Sequence, residues 1–230
     1  IYDRTTRGLR IYLATPRLRG LLSLNLAAAA AGAMVLVNTV VLVRSDLGLD
    51  NTQVAIALGA FGGGSMLAAL ILPRLLDNRP DRPVMIFGAA VLVVTLLGLA
   101  ALTVINGVGW YPLLAGWLVI GVGYSTVLTP SGRLLKRSAH AEDRTAVYAA
   151  QFALSHACWL VAYPLAGWLI TEFDAVTALA VLAFLAATGM AGGVILWPRD
   201  DAGVVEHTHD DLPVDHPHLQ DGRSHSHPIV

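Results

Sequence analysis

Six long apolar segments constrain the fold of this chain more than any other feature of its sequence. A transmembrane helix needs about 20 mainly apolar residues, and each segment is close to that length with almost no charged residue inside it. The segments lack the polar face at a 3.6-residue period that a soluble amphipathic helix would show. We therefore predict an all-α membrane protein with six transmembrane helices, at residues 21–43, 54–72, 84–105, 110–128, 146–170 and 176–197.

The chain divides into three parts, of which the six-helix domain at 21–197 is the largest. Residues 1–20 carry five Arg and are predicted to form a basic cytoplasmic linker or an amphipathic helix on the membrane surface. Residues 198–230 have low hydrophobicity and several Pro, which predicts a disordered tail rich in His and Asp. Because the chain begins with Ile1 and shows no signal peptide, we expect it to be a piece of a longer protein.

The basic residues are distributed unevenly between the two sides of the predicted membrane domain. Fourteen of the fifteen Lys and Arg residues fall in the N-terminal segment, the second and fourth connections or the tail, and only Arg44 falls on the other side. Cytoplasmic loops of membrane proteins carry an excess of Lys and Arg. We therefore predict a multi-pass protein of the bacterial inner membrane with both termini cytoplasmic, surrounded by the lipid bilayer and without a nucleic-acid partner.

The fifth segment contains the only His, Lys, Arg, Asp or Glu that lies deep inside a span, which is His156. A titratable group at this depth normally faces a bundle interior or a wet cavity. On a helix, Trp159 and Tyr163 share its stripe, while Gln151 and Ser155 lie on the neighbouring stripe. Two interpretations remain open: His156 hydrogen-bonds to another helix for packing, or these residues line a substrate or proton pathway.

Two other spans offer polar residues for the same pathway. Asn38 lies in the first span, where its amide either bonds to another helix or lines a cavity. Ser125 lies in the fourth span, a segment interrupted by Gly and Pro and typical of a moving or cavity-lining helix. The second span instead holds four closely spaced glycines, which predict tight helix packing: Gly59, Gly62, Gly63 and Gly64.

The tail holds six of the eight histidines, arranged in three His-x-His pairs. Neutral imidazoles are common ligands of zinc, copper and nickel, and the i, i+2 spacing in an extended chain places both rings on one side. We predict that the tail binds a divalent transition metal, and that the membrane domain requires no cofactor. The predicted metal ligands are His207, His209, His216, His218, His225 and His227.

The connection between the second and third spans carries a distinctive charge pattern. It runs from Pro73 to Pro83 and places Asp77 before the spaced residues Arg79 and Arg82. This pattern resembles the signature loop of the major facilitator superfamily, with Pro73 in the place of the usual Gly. The resemblance implies that the six spans are the C-terminal half of a transporter bundle, and that the Asp and the two Arg residues form a conformational switch.

The resemblance also implies a function. It indicates a secondary active transporter, not an enzyme, whose N-terminal six-helix half lies upstream of this chain. Proton-coupled efflux of a small solute is the activity expected. The run from Ser155 to Trp159 and the His-rich tail resemble nickel- and cobalt-resistance members, so one candidate substrate is a divalent metal ion such as nickel, cobalt or zinc. A drug-like compound is the other candidate.

Two alternative functions stay open. One is an intramembrane protease of the rhomboid type, which would pair Ser125 with His156 for nucleophilic catalysis. Rhomboid enzymes present Gly-x-Ser-Gly and place their His on the sixth span, whereas this chain reads Gly-Tyr-Ser-Thr at 123–126 and has His156 on the fifth. The other alternative is a metal-buffering membrane protein without transport, which depends on the tail alone.

Overall fold

Eight α-helices and two short strands make up the part of the chain that the computed structural model describes, which is residues 2–77, 79–199, 205–208 and 224–227. A π-helical turn at Leu42–Asp46 continues the second helix. The strands are β1 (Val205–Thr208) and β2 (Ser224–His227). The helices, in chain order, are α1 (Tyr2–Ala14), α2 (Pro16–Val41), α3 (Asn51–Leu76), α4 (Asp81–Asn106), α5 (Trp110–Leu128), α6 (Ser131–Arg137), α7 (Arg144–Glu172) and α8 (Ala175–Leu196).

Within the described part of the chain, six helices are long and apolar enough to cross a membrane, which confirms the six predicted spans. The first span begins at Pro16 rather than at residue 21, because Thr15 is extended (φ −88°, ψ 113°) and separates α1 from α2. Proline fits the first turn of a helix, where its missing N–H would have no partner in any case. The basic segment predicted at 1–20 is therefore a separate helix followed by the first turn of the first span.

The central helix of the bundle is α2, which is the most buried of the six spans. It packs against α8 and α7, with smaller contacts to α5 and α4. Small residues let helix backbones approach each other closely, and residues 27–33 of α2 are all Ala or Gly and all buried. On the facing helix, a Cβ added to Gly189 would lie 2.5 Å from the carbonyl oxygen of Ser23, so a larger residue does not fit without a backbone shift.

The fourth span, α5, lies between α3 and α4 and packs closely against both. On one side, a Cβ added to Gly121 would lie 2.1 Å from the carbonyl oxygen of Phe61 on α3. On the other side, a Cβ added to Gly123 would lie 3.0 Å from the carbonyl oxygen of Gly88 on α4. Consecutive helices α3 and α4 hardly contact each other, so α5 acts as a wedge that holds them apart.

The least buried spans are α3 and α7. Helix α3 buries a single stripe, formed by Ala57, Gly64, Ala68, Leu72 and Leu76. The prediction of tight packing is confirmed for Gly64, where an added Cβ would lie 2.0 Å from the carbonyl oxygen of Leu118. For the other three glycines, a Cβ would meet no atom within 4 Å in the described part of the chain, so tight packing there stays a prediction: Gly59, Gly62 and Gly63.

The tail is described only at its two strands. Strands β1 and β2 pair in antiparallel fashion, with His207 opposite His225 and Val205 opposite His227. Within the segment predicted to be disordered, these residues are therefore extended and paired. The histidines at 209, 216 and 218 lie outside the described residues.

Candidate functional site

The predicted central residue, His156, lies on an exposed face of α7. Its Nδ1 atom is 2.7 Å from the carbonyl oxygen of Phe152, and the two rings stack with their centroids 4.0 Å apart. A carbonyl oxygen only accepts hydrogen bonds, so Nδ1 carries the hydrogen and Nε2 keeps the lone pair. The histidine is therefore satisfied within its own helix and retains one basic atom that can accept a proton or bind a ligand.

Four aromatic rings extend from His156's own helix across two neighbours. Trp159 lies 4.8 Å from Tyr163 and 6.1 Å from Tyr124 between ring centroids, and Tyr124 lies 5.5 Å from Phe61. These four residues, called the aromatic row below, come from α7, α5 and α3. Edge-on and tilted ring pairs at such distances attract each other through their quadrupoles. The row joins three helices through one continuous aromatic surface.

A glycine of α2 allows the aromatic row to form. A Cβ added to Gly32 would lie 2.4 Å from Cη2 of Trp159 and 3.4 Å from Cε2 of Tyr124. Both rings therefore lie against the backbone of the central helix. Helical spacing predicted Trp159 and Tyr163 as neighbours of His156, but it gave no reason to add Phe61, Tyr124 or Gly32. For the glycine, the Ala-rich sequence around it carries no signal at all.

The neighbouring stripe of α7 is occupied by contacts within the protein. Tyr12 of α1 is fully buried and donates a hydrogen bond to Oε1 of Gln151. Burial raises the pKa of the Tyr12 phenol far above its usual range, so it stays a neutral donor. Ser155 donates to the carbonyl oxygen of Phe152 at 3.0 Å, the same oxygen that His156 uses. Gln151 thus ties α1 to α7, and Ser155 bonds within its helix.

The two polar residues of other spans lie in different surroundings. Asn38 is fully buried in α2, where Nδ2 is 3.2 Å from Sδ of Met34 and Oδ1 has no partner among the described residues. Ser125 is half-buried next to Tyr124 of the aromatic row, with its Oγ 3.4 Å from Oγ1 of Thr129. No hydrogen bond joins Ser125 to His156 in the described part of the chain, so the pair that a rhomboid-type protease needs is not formed.

The charged cluster near the loop is built on a carboxylate that the sequence did not single out. Asp81, in the first turn of α4, has a side chain only 4% exposed. It accepts hydrogen bonds from Nε and Nη2 of Arg133, the first at 3.0 Å, and lies 3.5 Å from Nη1 of Arg137. Asp77 and Arg79 are both exposed, so their part in a conformational switch stays a prediction.

Two arginines of this region bind the C-terminal ends of helices. Arg82 donates to the carbonyl oxygens of Trp197 at 2.9 Å and Val194 at 3.0 Å, at the end of α8. Arg133 donates from Nη1 to the carbonyl oxygen of Leu76, 2.9 Å away, at the end of α3. Cations are favourable at helix C-termini, where carbonyl groups lack partners within the helix. The loop is therefore tied to α8 through Arg82 and to α6 through Asp81.

The predicted metal ligands are not brought together in the described part of the chain. No group of three or more His, Cys, Asp or Glu side chains that could hold a metal ion is found among those residues. Three of the six tail histidines lie outside them, and the backbone alone places the other three in β1 and β2: His207, His225 and His227. Metal binding by the tail stays a prediction.

The six bilayer-length helices of the described part of the chain define a multi-pass membrane protein. A family model for the Major Facilitator Superfamily matches residues 21–214, and the chain belongs to that superfamily. Its members are membrane transporters for small molecules, so the expected transport function is supported at this general level. No curated protein matches the sequence.

Proposed function

We propose that the chain is one half of a secondary active transporter that exports a small organic solute in exchange for protons. The observation that carries this proposal is the aromatic row beside His156 on an exposed face of α7. Ring surfaces bind apolar and aromatic groups by stacking, and they attract organic cations through the ring quadrupole. His156 is the only His, Lys, Arg, Asp or Glu deep in a span, and a proton exchanger needs such a group.

The bond between His156 and Phe152 defines how a proton can enter. Nδ1 keeps its hydrogen and its contact with the carbonyl oxygen in both states of the ring. The proton therefore binds at Nε2 and turns the ring into a cation without breaking that bond. A cationic solute on the aromatic row is then repelled, while a neutral imidazole tolerates it. Binding of proton and solute thus exclude each other, which is the minimal requirement for exchange.

A second six-helix half is inferred from the surfaces left open on α3 and α7. Gly59, Gly62 and Gly63 have no atom within 4 Å of an added Cβ, so a helix backbone can approach them closely. On α7, the exposed stripe contains His156 and Tyr163, which are polar groups that do not favour contact with lipid. We infer that the partner half packs on α3 and encloses the aromatic row between the two halves.

The contacts of the basic residues support the proposal that this is a bacterial inner-membrane protein with both termini on the cytoplasmic side. Arg7 pairs with Asp143 at 2.7 Å, and Arg17 donates to the carbonyl oxygen of Arg137 at 3.2 Å. The N-terminal segment and the connection before α7 therefore share one end of the bundle. An excess of Lys and Arg marks the cytoplasmic end. Cysteines introduced at positions 50 and 140 should be labelled from opposite sides of the membrane, and labelling from the same side contradicts this topology.

A divalent metal ion is the second candidate substrate, and the three His-x-His pairs of the tail favour it. The aromatic row and His156 favour the organic solute, because aromatic rings and a single imidazole supply few of the ligands that a nickel, cobalt or zinc ion takes. If the substrate is an organic solute, metal binding by the tail does not indicate what is transported. Metal buffering without transport is the remaining alternative, and it predicts metal uptake by the tail with no solute flux.

The decisive experiment measures solute export by the full-length protein in proteoliposomes under an imposed pH gradient. His156→Gln keeps a polar side chain of similar size but cannot take up a proton near neutral pH. We expect it to fold and bind solute normally but to lose acceleration by the pH gradient. His140→Gln, in the exposed connection before α7, is the matched control and should behave as wild type. Normal pH-driven export by His156→Gln would refute the coupling role.

The class of substrate is tested by removing one ring of the aromatic row. Trp159→Ala should weaken binding of an aromatic organic cation by roughly 2–10-fold, since a ring pair is worth about 0.5–1.5 kcal/mol. Trp168→Ala is the matched control, because that ring is 53% exposed and pairs with Phe173 outside the row. If Trp159→Ala leaves organic solutes unaffected and removal of the tail stops nickel export, the metal ion is the substrate.

A further inference from the structure

A large cavity lies between α3 and α4, outside the aromatic row. Its volume is about 850 Å³. That is within the range of about 300–1,000 Å³ typical of ligand sites. It exists because α5 holds the two helices apart, and α5 closes its floor with Val122 and Thr126. Consecutive antiparallel helices joined by a short turn normally pack together, so an open groove at this position needs an occupant.

The walls of the groove are hydrocarbon. Leu67 and Ile71 of α3 are 49% and 61% exposed, and Phe87 of α4 is 65% exposed. The hydroxyl of Thr126 on the floor is already used, because it donates to the carbonyl oxygen of Val122 at 2.7 Å. Only the Thr126 oxygen can still accept a hydrogen bond, and no side-chain donor is left on these five residues. Because the groove lies along two membrane spans, an acyl chain is the occupant with matching chemistry.

One end of the groove is closed by a positive charge. Arg79 lines the cavity from the turn between the helices, is exposed, and has no hydrogen-bond or ion-pair partner among the described residues. Arg74, in the last turn of α3, does not line the cavity, and neither does the exposed carboxylate of Asp77. Helix α4 starts there after Pro80, which provides no side-chain cap. The first turn of α4 already holds the carboxylate of Asp81, so the guanidinium of Arg79 is the group here that favours a phosphate.

We infer that this groove binds an anionic phospholipid, with one acyl chain between α3 and α4 and its phosphate on Arg79. The positions of the apolar walls and of the Arg79 guanidinium along the membrane normal match those of an acyl chain and a headgroup. The apolar walls lie within the spans and the guanidinium lies in the connection that follows α3, at the level where headgroups begin. The charge selects an anionic headgroup, and anionic lipids attract basic residues next to a membrane.

A lipid fits this groove better than the proposed partner half does. The open glycines that suit close helix packing are at 59–63, in the first half of α3, whereas the groove begins at Leu67 and ends at Arg79. A helix docked in the groove would also have to place an acidic group opposite Arg79. The inference is therefore independent of the transport proposal and of where the partner half packs.

The test is native mass spectrometry of the full-length protein, purified in detergent and titrated with phosphatidylglycerol or phosphatidylcholine. Wild type should prefer phosphatidylglycerol. Arg79→Gln should weaken that binding about fivefold, the factor for one Arg beside an anionic lipid. Arg74→Gln is the matched control and should keep most of it, because Arg74 does not line the groove. Ala68→Phe fills the groove from α3 and should remove the bound lipid even though Arg79 is present.

A second measurement locates the lipid. Phosphatidylglycerol with a photoactivatable acyl chain, in vesicles of phosphatidylcholine and full-length protein, should crosslink to residues 67–75 and 80–87. Equal binding of both lipids by wild type would overturn the inference, as would unchanged phosphatidylglycerol binding in Arg79→Gln. Crosslinks confined to other helices would also overturn it, because the acyl chain would then lie outside the groove.

Discussion

Replacing Asp81 should destabilise the protein far more than replacing Asp77, although both carboxylates belong to the same loop. The Asp81 side chain is 4% exposed, and its partners Arg133 and Arg137 have side chains 37% and 56% exposed. Removing one member of a buried ion pair costs about 3–5 kcal/mol. Because the two guanidinium groups can regain water, we expect about 2–3 kcal/mol for Asp81→Ala. In a domain of this size that lowers Tm by about 4–12 °C.

The assay is thermal unfolding of the purified full-length protein, followed with a thiol-reactive fluorescent dye. Cys158 of α7 is half-buried, so unfolding exposes it to the dye. Asp77→Ala is the matched control and should change the free energy of unfolding by less than about 0.5 kcal/mol, because its side chain is exposed. A double-mutant cycle with Arg133→Ala should show that the Asp81 and Arg133 effects are not additive. Equal Tm values for Asp77→Ala and Asp81→Ala would refute the reasoning.

Three further outcomes are expected. Gly121→Leu should lower Tm by several degrees, because its side chain would collide with the backbone of α3 at Phe61, whereas Gly98→Leu should not. Asp174 caps α8 by accepting from the N–H of Thr177 at 2.7 Å, and that bond lowers its pKa, so Asp174→Ala should lower Tm at pH 7. The difference from wild type should begin to shrink as pH falls below about 4, where the unfolded carboxylate takes up a proton, and it should vanish below the lowered pKa of the folded state. Truncation after Arg199 should leave Tm unchanged, and calorimetry should show loss of nickel or zinc uptake.

The spans were predictable because a bilayer-length apolar run has few other stable solutions. The first span shows the limit of that reasoning, since Pro16 and Arg17 are not apolar yet belong to α2. An arginine near a helix end can reach past the apolar core to polar groups, and Arg17 does so at the carbonyl oxygen of Arg137. The ends of a span thus depend on helix caps and on the polar groups that long side chains can contact, and hydropathy contains no information about either.

Contacts between segments that are distant in the chain could not be predicted from the sequence. Asp77 and Asp81 are equivalent as loop carboxylates, and only the fold brings Arg133 to one of them. The stripe of α7 that carries His156 and Trp159 followed from helical spacing, whereas its partner Tyr124 comes from another helix. A single sequence gives the periodicity within a segment and does not say which segments meet. Helical spacing therefore groups the α7 residues of the candidate site, whereas the ring contacts of Phe61 on α3 and Tyr124 on α5 come only from the fold.

Gly32, where α2 contacts the aromatic row, is the position at which a substitution should change solute binding without changing stability. Alanine suits a helix interior better than glycine by about 1 kcal/mol, so Gly32→Ala gains local helix stability. Its Cβ would lie 2.4 Å from Cη2 of Trp159, which must move. Trp159 is only half-buried, so its ring can turn outward without shifting the core. Gly98→Ala is the matched control, because a Cβ there meets no atom within 4 Å.

We therefore expect Gly32→Ala to keep a Tm close to that of wild type while losing affinity for the aromatic solute, as Trp159→Ala does. Gly98→Ala should change neither quantity. The two measurements are thermal unfolding and solute binding on the same detergent-purified full-length protein. A Gly32→Ala protein that binds and exports solute normally would show that contact of the rings with α2 is irrelevant to transport. A large fall in Tm would show instead that the row is part of the packed core, since the ring could not have moved without disturbing α2.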